Sequence, residues 1–136
     1  MKRSIFVKTI GLSTVACACG QLVSCSSNST DPTPANVDFT LDLSLSANAP
    51  LNSDGGSVTS QGIIIVRVSA GNFVALSRAC THQGTPVDFQ AATNNFLCSN
   101  HGSTFSLNGT VTKGPASSPL RKFNTSLTGT SLRVFS

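Results

Sequence analysis

The chain has 136 residues, enough for one domain and a short leader, and only 10% of them are charged. It contains neither Trp nor Tyr, so Phe supplies all eight aromatic side chains, and its many Ser, Thr, Asn and Gly residues are typical of β-rich proteins. The net charge of +4 depends on three basic residues near the start; the other six basic residues face five acidic ones, which excludes a basic surface for nucleic acid.

The first 24 residues have the organisation of an export signal peptide. A positive start precedes the apolar run 10–23, which is too short and too interrupted for a lasting transmembrane helix. The run ends in Leu22-Val23-Ser24-Cys25, which resembles the bacterial lipoprotein signal. That resemblance implies cleavage before Cys25, lipidation of Cys25, and an exported protein of the bacterial cell envelope that is lipid-anchored to a membrane. The alternative is an ordinary secretory signal in which Cys25 is incidental.

Residues 25–36 are expected to form a disordered linker between the lipid and the domain. The segment 26–36 (SSNSTDPTPAN) is polar, holds two prolines and lacks an apolar cluster, so it cannot bury enough surface to become ordered. Its prolines would keep it extended. The folded domain is therefore expected to occupy residues 37–136.

Alternating and continuous apolar patterns predict strands in the first half of the domain. Residues Val37 to Leu45 alternate between apolar and polar, which is typical of a strand with one buried face. Asn48 to Ser57 is rich in Pro, Asn, Asp and Gly and is expected to be a loop. The β-branched run Gly62 to Val68 predicts a deeply buried strand, and Phe73 to Arg78 predicts its hairpin partner.

The second half of the domain continues in short strands. Asn108-Gly109 is a strong hairpin signal, and it lies between the predicted strand Thr104 to Leu107 and its return. No window has a sustained helical periodicity. We therefore expect an all-β fold of small, packed antiparallel sheets, with further strands at Asn95–Leu97, Leu120–Leu127 and Ser131–Phe135.

Two short segments each carry one thiol and one imidazole. Cys80 and His82 lie in the first segment, and Cys98 and His101 in the second. Such a set can hold one metal ion or two irons bridged by sulfide. A tetrahedral zinc site is chemically reasonable, although zinc fingers usually pair Cys with Cys and His with His. A disulfide between the two cysteines is the alternative for an exported protein, but it would leave the two histidines unexplained.

The spacing C-x-H-x15-C-x2-H, with glycine after each half, resembles the Rieske [2Fe-2S] motif. The resemblance implies one [2Fe-2S] cluster per chain, with Cys80 and Cys98 on one iron and His82 and His101 on the other. It also implies stacked antiparallel sheets, with a small cluster-binding subdomain formed by the two loops.

The same resemblance assigns roles to residues around the cluster. Gly84 and Gly102 would let backbone N–H groups approach the sulfides, and Pro115 belongs to a third loop that would cover the cluster. Ser103 matches a serine whose hydroxyl donates to a cluster sulfur, whereas Phe105 stands where high-potential members have a donating tyrosine. Their extra disulfide falls on positions Thr85 and Asn100, so it is absent here. These departures predict an intermediate reduction potential.

The sequence thus favours a membrane-tethered electron-transfer protein that carries one electron per cluster and has no evident substrate site of its own. Its expected partners are a redox donor and a redox acceptor, such as a cytochrome or a quinol-oxidising complex. Alternatives are the Rieske subunit of a larger oxidoreductase, either quinol-oxidising or arsenite-oxidase-like, a ferredoxin of a ring-hydroxylating oxygenase, and a zinc-stabilised surface lipoprotein.

Overall fold

The computed structural model describes residues 35–136, which form ten strands and one short helix. All strand pairs are antiparallel, and they build one six-stranded and one four-stranded sheet. The expected all-β fold is therefore confirmed. The strands are β1 Asp38–Asp42, β2 Ser57–Ser60, β3 Ile63–Ser69, β4 Asn72–Ser77, β5 Val87–Gln90, β6 Asn95–Cys98, β7 Thr104–Phe105, β8 Val111–Lys113, β9 Lys122–Thr128 and β10 Ser131–Phe135.

The six-stranded sheet has the order β1-β10-β9-β4-β3-β2, and its strand β3 is buried on both faces. Ile63 and Ile65 face one apolar core, which also contains residues of β1 and β10. Ile64 and Val66 face the other core. A strand that buries both faces needs a continuous apolar run instead of an alternating one, which is why this segment reads as four successive β-branched residues.

The four-stranded sheet, in the order β5-β6-β7-β8, packs against the second face of β3. Its residues Val87, Phe96 and Phe105 are fully buried in the core between the two sheets. Cys80 and Cys98 belong to this same core. Each large apolar side chain in it contributes about 1.5–3 kcal/mol relative to an exposed position, so the packing holds the two cysteines on a rigid base.

Two loops leave this base toward the same end of the domain. The first ligand loop, residues 78–86, connects β4 of the large sheet to β5 of the small one, and the bridge between Ala79 and Pro86 closes its neck. The second ligand loop, residues 98–103, connects β6 to β7 within the small sheet. The second loop therefore projects from the smaller sheet, whereas the first bridges the two sheets.

The first strand ends earlier than its alternating sequence predicts. The Asp42 carboxylate accepts hydrogen bonds from the backbone N–H and the hydroxyl of Ser44, at 2.9 and 2.6 Å. Such a turn competes with the strand ladder. The chain then forms a 3-10 helix, Ser46–Asn52, in a segment whose second part was expected to be a loop. The buried Asn48 stabilises this corner because its side-chain amide donates to the Asp42 carbonyl at 2.9 Å.

Two short strands were not predicted from the sequence. Strand β2 pairs with β3 through a turn in which Gln61 and Gly62 have φ values of 52° and 76°, the backbone of a tight hairpin turn. Its sequence, SVTS, carries one apolar residue and gives almost no pattern. Strand β5 has four residues and pairs with β6.

The predicted signal peptide, residues 1–24, and Cys25 lie outside the described residues, as does most of the predicted linker. Within 35–136, no helix has both the length and the apolar character needed to span a lipid bilayer.

Candidate metal centre

The two ligand loops share one backbone arrangement. In the first, the Cys80 N–H donates to the Thr85 carbonyl at 2.9 Å, and the Gly84 N–H donates to the Cys80 carbonyl at 2.7 Å. In the second, Cys98 pairs with Ser103 at 2.8 Å and Gly102 with Cys98 at 2.9 Å, at the same spacing along the chain. Both loops therefore present a cysteine at a strand end or neck, followed by a turn of fixed shape.

Glycine completes each turn because the backbone is left-handed there. Gly84 has a φ of +72° and Gly102 a φ of +76°, a region that L side chains rarely adopt. A Cβ added at either position would meet no protein atom within 4 Å. The left-handed backbone, and not crowding by other protein atoms, therefore explains why glycine occupies both positions. The approach of the glycine N–H groups to cluster sulfides stays a prediction.

The two cysteines are free thiols inside the apolar core. Cys80 is 3% exposed and Cys98 is 2% exposed. Burial raises the pKa of the Cys80 thiol, and the neighbouring Cys98 sulfur acts in the same direction, whereas the backbone N–H groups of His82 and Gln83 lower this pKa. A thiol that is costly to ionise in the dry core becomes a thiolate when a cation compensates its charge, which is the behaviour required of a metal ligand.

The two histidines meet at the exposed tip of the loops. The ring centroids of His82 and His101 are 5.0 Å apart, and the ring planes cross at 81°. Both side chains are exposed, in contrast to the cysteines. The Cys–His spacing differs between the two loops, since His82 is two residues after its cysteine and His101 is three. The turns nevertheless bring the two rings into an edge-to-face contact.

The third loop, residues 114–121, is tied to both ligand loops. The Ser103 hydroxyl, fully buried, accepts a hydrogen bond from the Ala116 N–H at 3.0 Å, which leaves its own O–H free to donate. The Thr81 hydroxyl donates to the Ser118 carbonyl at 2.6 Å. Pro115 follows a cis peptide bond with Gly114 and is exposed beside the buried Ala116. Phe105 is fully buried on β7, below Ser103.

A third connection joins the two ligand loops directly. The Gln83 side-chain oxygen lies 3.2 Å from the Asn100 amide nitrogen and 3.2 Å from His101 Nε2. Each of the three loops is therefore hydrogen-bonded to both of the others. Sequence reasoning assigned no role to Thr81 or Gln83 and considered Asn100 only as a missing cysteine, because such contacts depend on which loops meet in space.

A pocket of about 500 Å³ lies between the first ligand loop and the third loop. Its walls include His82 and Gln83 on one side and Pro119 and Arg121 on the other. The guanidinium of Arg121 donates to the Ala35 carbonyl at 2.9 Å and lies 5.1 Å from the Phe123 ring centroid. Ala35 therefore lies beside this wall of the pocket.

The chemistry of the four side chains fits a cluster of two metal ions. Two imidazoles that bind one ion through nitrogens at about 2 Å have ring centroids roughly 4.5–5.5 Å apart, and the observed 5.0 Å lies in this range. The cysteines form a second, buried pair that interacts closely enough to shift a pKa. Among the residues 35–136, no three His, Cys, Asp or Glu side chains are grouped closely enough to hold a single ion.

Comparison with known proteins agrees with this geometry. The Rieske [2Fe-2S] domain family model matches residues 42–124, more than half of the chain. The cytochrome b6-f complex iron-sulfur subunit of Chlorobaculum thiosulfatiphilum is 33% identical over 71 residues, covering 52% of this chain and 39% of its own. The corresponding subunit of a Synechococcus strain is 35% identical over the same length, covering 41% of its own chain. This chain thus spans about two fifths of the length of these curated relatives.

A solved structure shows the same similarity in three dimensions. The cyanobacterial plasma membrane Rieske protein from Synechocystis PCC 6803 superposes with a TM-score of 0.55 at 32% identity, covering 63% of this chain and 91% of that one. The expected stacked-sheet fold is thereby confirmed. From the sequence match, the shared fold and the paired loops, this chain belongs to the Rieske [2Fe-2S] family, and its cofactor is a Rieske-type [2Fe-2S] cluster.

Proposed function

We propose that this protein transfers single electrons at a membrane surface, to which a lipid on Cys25 tethers it. The observation that carries the proposal is the division of the site into two buried thiols and two exposed, adjacent imidazoles. Such a site keeps the sulfur ligands away from water and places the nitrogen ligands where a partner protein can reach them.

Cys80 and Cys98 would hold one iron as thiolates, and His82 and His101 would hold the other as neutral imidazoles. When bound, the cluster supplies one reversible single-electron step. Neutral ligands in place of two thiolates lower its negative charge, so that reduction becomes more favourable by several hundred millivolts than with four cysteines. The protein's part is to keep this ligand set in a fixed geometry, so that little reorganisation accompanies the electron.

The surrounding residues would tune the potential. The Ser103 O–H remains available as a donor because its oxygen accepts the Ala116 N–H. A hydroxyl aimed at a cluster sulfur stabilises the more negative, reduced state and raises the potential. Phe105 supplies no such donor. The combination supports an intermediate potential, above the ferredoxins of ring-hydroxylating oxygenases and below the respiratory quinol-oxidising members.

Replacing Phe105 with tyrosine is expected to raise the midpoint potential. A new hydrogen bond that favours the reduced state by about 1 kcal/mol corresponds to about 40 mV for one electron. Protein-film voltammetry of both proteins measures this shift. Phe96→Tyr is the matched control, because Phe96 is directly paired with Phe105 across the strands and equally buried. A midpoint that falls or stays constant in Phe105→Tyr would contradict this account of the potential.

A second candidate function is that of a subunit of a quinol-oxidising complex. The relatives named above are iron-sulfur subunits of cytochrome b6-f complexes, which favours partners of that kind. Co-purification from native membranes separates the two candidates: a stable complex with other redox subunits supports the second, and a protein that elutes alone supports the first.

One experiment tests both the cluster and the tether. The full chain is expressed in a bacterium, and electron paramagnetic resonance is recorded on the reduced membrane and soluble fractions. We expect a [2Fe-2S] signal with nitrogen hyperfine coupling in the membrane fraction, and the same signal in the soluble fraction for a chain that begins at Ser26. An EPR-silent, colourless protein containing zinc would refute the cluster, and a chain beginning at Ser26 that stays with the membrane would refute the tether.

A further inference from the structure

Gln83 stands between His82 and Gly84 in the first ligand loop, and its side chain reaches the second. Its Oε1 accepts a hydrogen bond from the Asn100 Nδ2 group at 3.2 Å. The same oxygen lies 3.2 Å from His101 Nε2. One oxygen atom of the first loop therefore contacts two nitrogen atoms of the second loop.

This contact is compatible with one tautomer of His101. An amide oxygen can only accept a hydrogen bond, so its pairing with Nε2 requires the imidazole to carry its proton on that nitrogen. The lone pair then resides on Nδ1. Since a metal ligand must offer a lone pair, the hydrogen bond made by the outer nitrogen selects the inner nitrogen for binding.

The two histidines differ in this respect. Within the described chain, the structure records no hydrogen bond to the His82 ring, which contacts the His101 ring at a centroid distance of 5.0 Å. A side chain of the opposite loop thus contacts the His101 ring, whereas the recorded contact of the His82 ring is with His101 itself.

We infer that Gln83 is a positioning residue that fixes the Nε2–H tautomer of His101 and fastens the two ligand loops to each other through Asn100 and His101. The inference rests on the proposed ligand set and adds to it a residue that does not itself touch the cluster. A hydrogen bond from the outer N–H to an acceptor also increases the basicity of the inner nitrogen. Gln83 therefore strengthens the bond to His101 and lowers the reduction potential.

The first test needs no cluster. The full-length protein, labelled with ¹⁵N-histidine and purified without iron, is studied by nuclear magnetic resonance at about pH 8, where a free imidazole is neutral. We expect His101 to be an Nε2–H tautomer in the wild type and in Gln83→Glu, which retains an acceptor oxygen. In Gln83→Met, of similar length but without an acceptor, the Nδ1–H tautomer should appear. His101 as the Nδ1–H tautomer in the wild type, or an unchanged pattern in Gln83→Met, would overturn the inference.

The second test uses the loaded protein. We expect Gln83→Met to lose its cluster to a chelator about 10-fold faster or more and to have a higher midpoint potential, with Gln83→Glu keeping the slow loss. Asn100→Ala should accelerate the loss without changing the tautomer, because it removes only the other arm of the connection. Equal rates and potentials in the wild type and Gln83→Met would refute the inference while leaving the proposed function intact. A wild type that binds no cluster would instead refute the proposed function.

Discussion

Alanine at His82 or at His101 is expected to abolish the Rieske centre. Each substitution would remove one of the two proposed nitrogen ligands of the cluster, at the exposed tip of the loops. Because loss of a residue that merely supports a ligand already costs about 10–100-fold in metal affinity, loss of the ligand itself should reduce the cluster content at least as strongly. Both histidine side chains are exposed, so the fold should survive.

Iron and acid-labile sulfide per chain, visible absorption and electron paramagnetic resonance measure this loss, and far-ultraviolet circular dichroism checks the fold. Gln90→Ala is the control, because Gln90 is exposed at the end of β5 that pairs with Asn95, away from Cys98. It should keep the full cluster content. An intact red-brown centre in either histidine variant would remove that histidine from the ligand set.

Replacing Gly109 with alanine should destabilise the domain strongly. Gly109 has a φ of +84°, and an added Cβ would lie 2.5 Å from the backbone oxygen of Leu120. The left-handed conformation costs about 1–2 kcal/mol. The clash adds about 1–3 kcal/mol, as in an overpacked core, because the Leu120 N–H also donates to the Gly109 carbonyl at 2.8 Å and cannot easily withdraw.

Gly71→Ala separates these two contributions. Gly71 lies in the turn between β3 and β4 with a φ of +75°, and a Cβ there would meet nothing within 4 Å. It should therefore show the conformational cost alone, measured as the free energy of unfolding from urea denaturation of the cluster-free protein. An equal loss of unfolding free energy in the two variants would mean that the backbone at Leu120 moves aside without cost.

The proposed ligand residues stand out in the sequence because their pattern is local. Each cysteine and its histidine lie in one turn, and the turn is closed by the N–H of a glycine four residues after the cysteine. The connections among the loops could not be predicted in the same way. Thr81 and Ser118 are 37 residues apart, and Gln83 and Asn100 are 17 apart, so their contacts depend on the packing of the two sheets.

In the sheets, too, the features that depend on neighbouring residues could be predicted, whereas those that depend on distant residues could not. The four β-branched residues of β3 predict a buried strand in any context. The end of β1 depends on two hydrogen bonds to Asp42. The Asp42 carboxylate accepts one from the Ser44 N–H, and the Asp42 carbonyl accepts one from the Asn48 side chain in the following 3-10 helix. Strand β2 exists because an edge of β3 is available for pairing, and its own residues give little indication of it.

The three mutual connections among the loops have a consequence for how the site is loaded. Those made by Thr81 and Gln83 involve exposed side chains, and an exposed hydrogen bond typically contributes only about 0.5–1.5 kcal/mol. The thiols, in contrast, lie in the apolar core between the two sheets, Cys98 at the end of β6 and Cys80 in the first ligand loop. We therefore expect the first ligand loop to open at a small fraction of the global unfolding free energy. Such opening would give inorganic iron and sulfide access to a chain that has already folded.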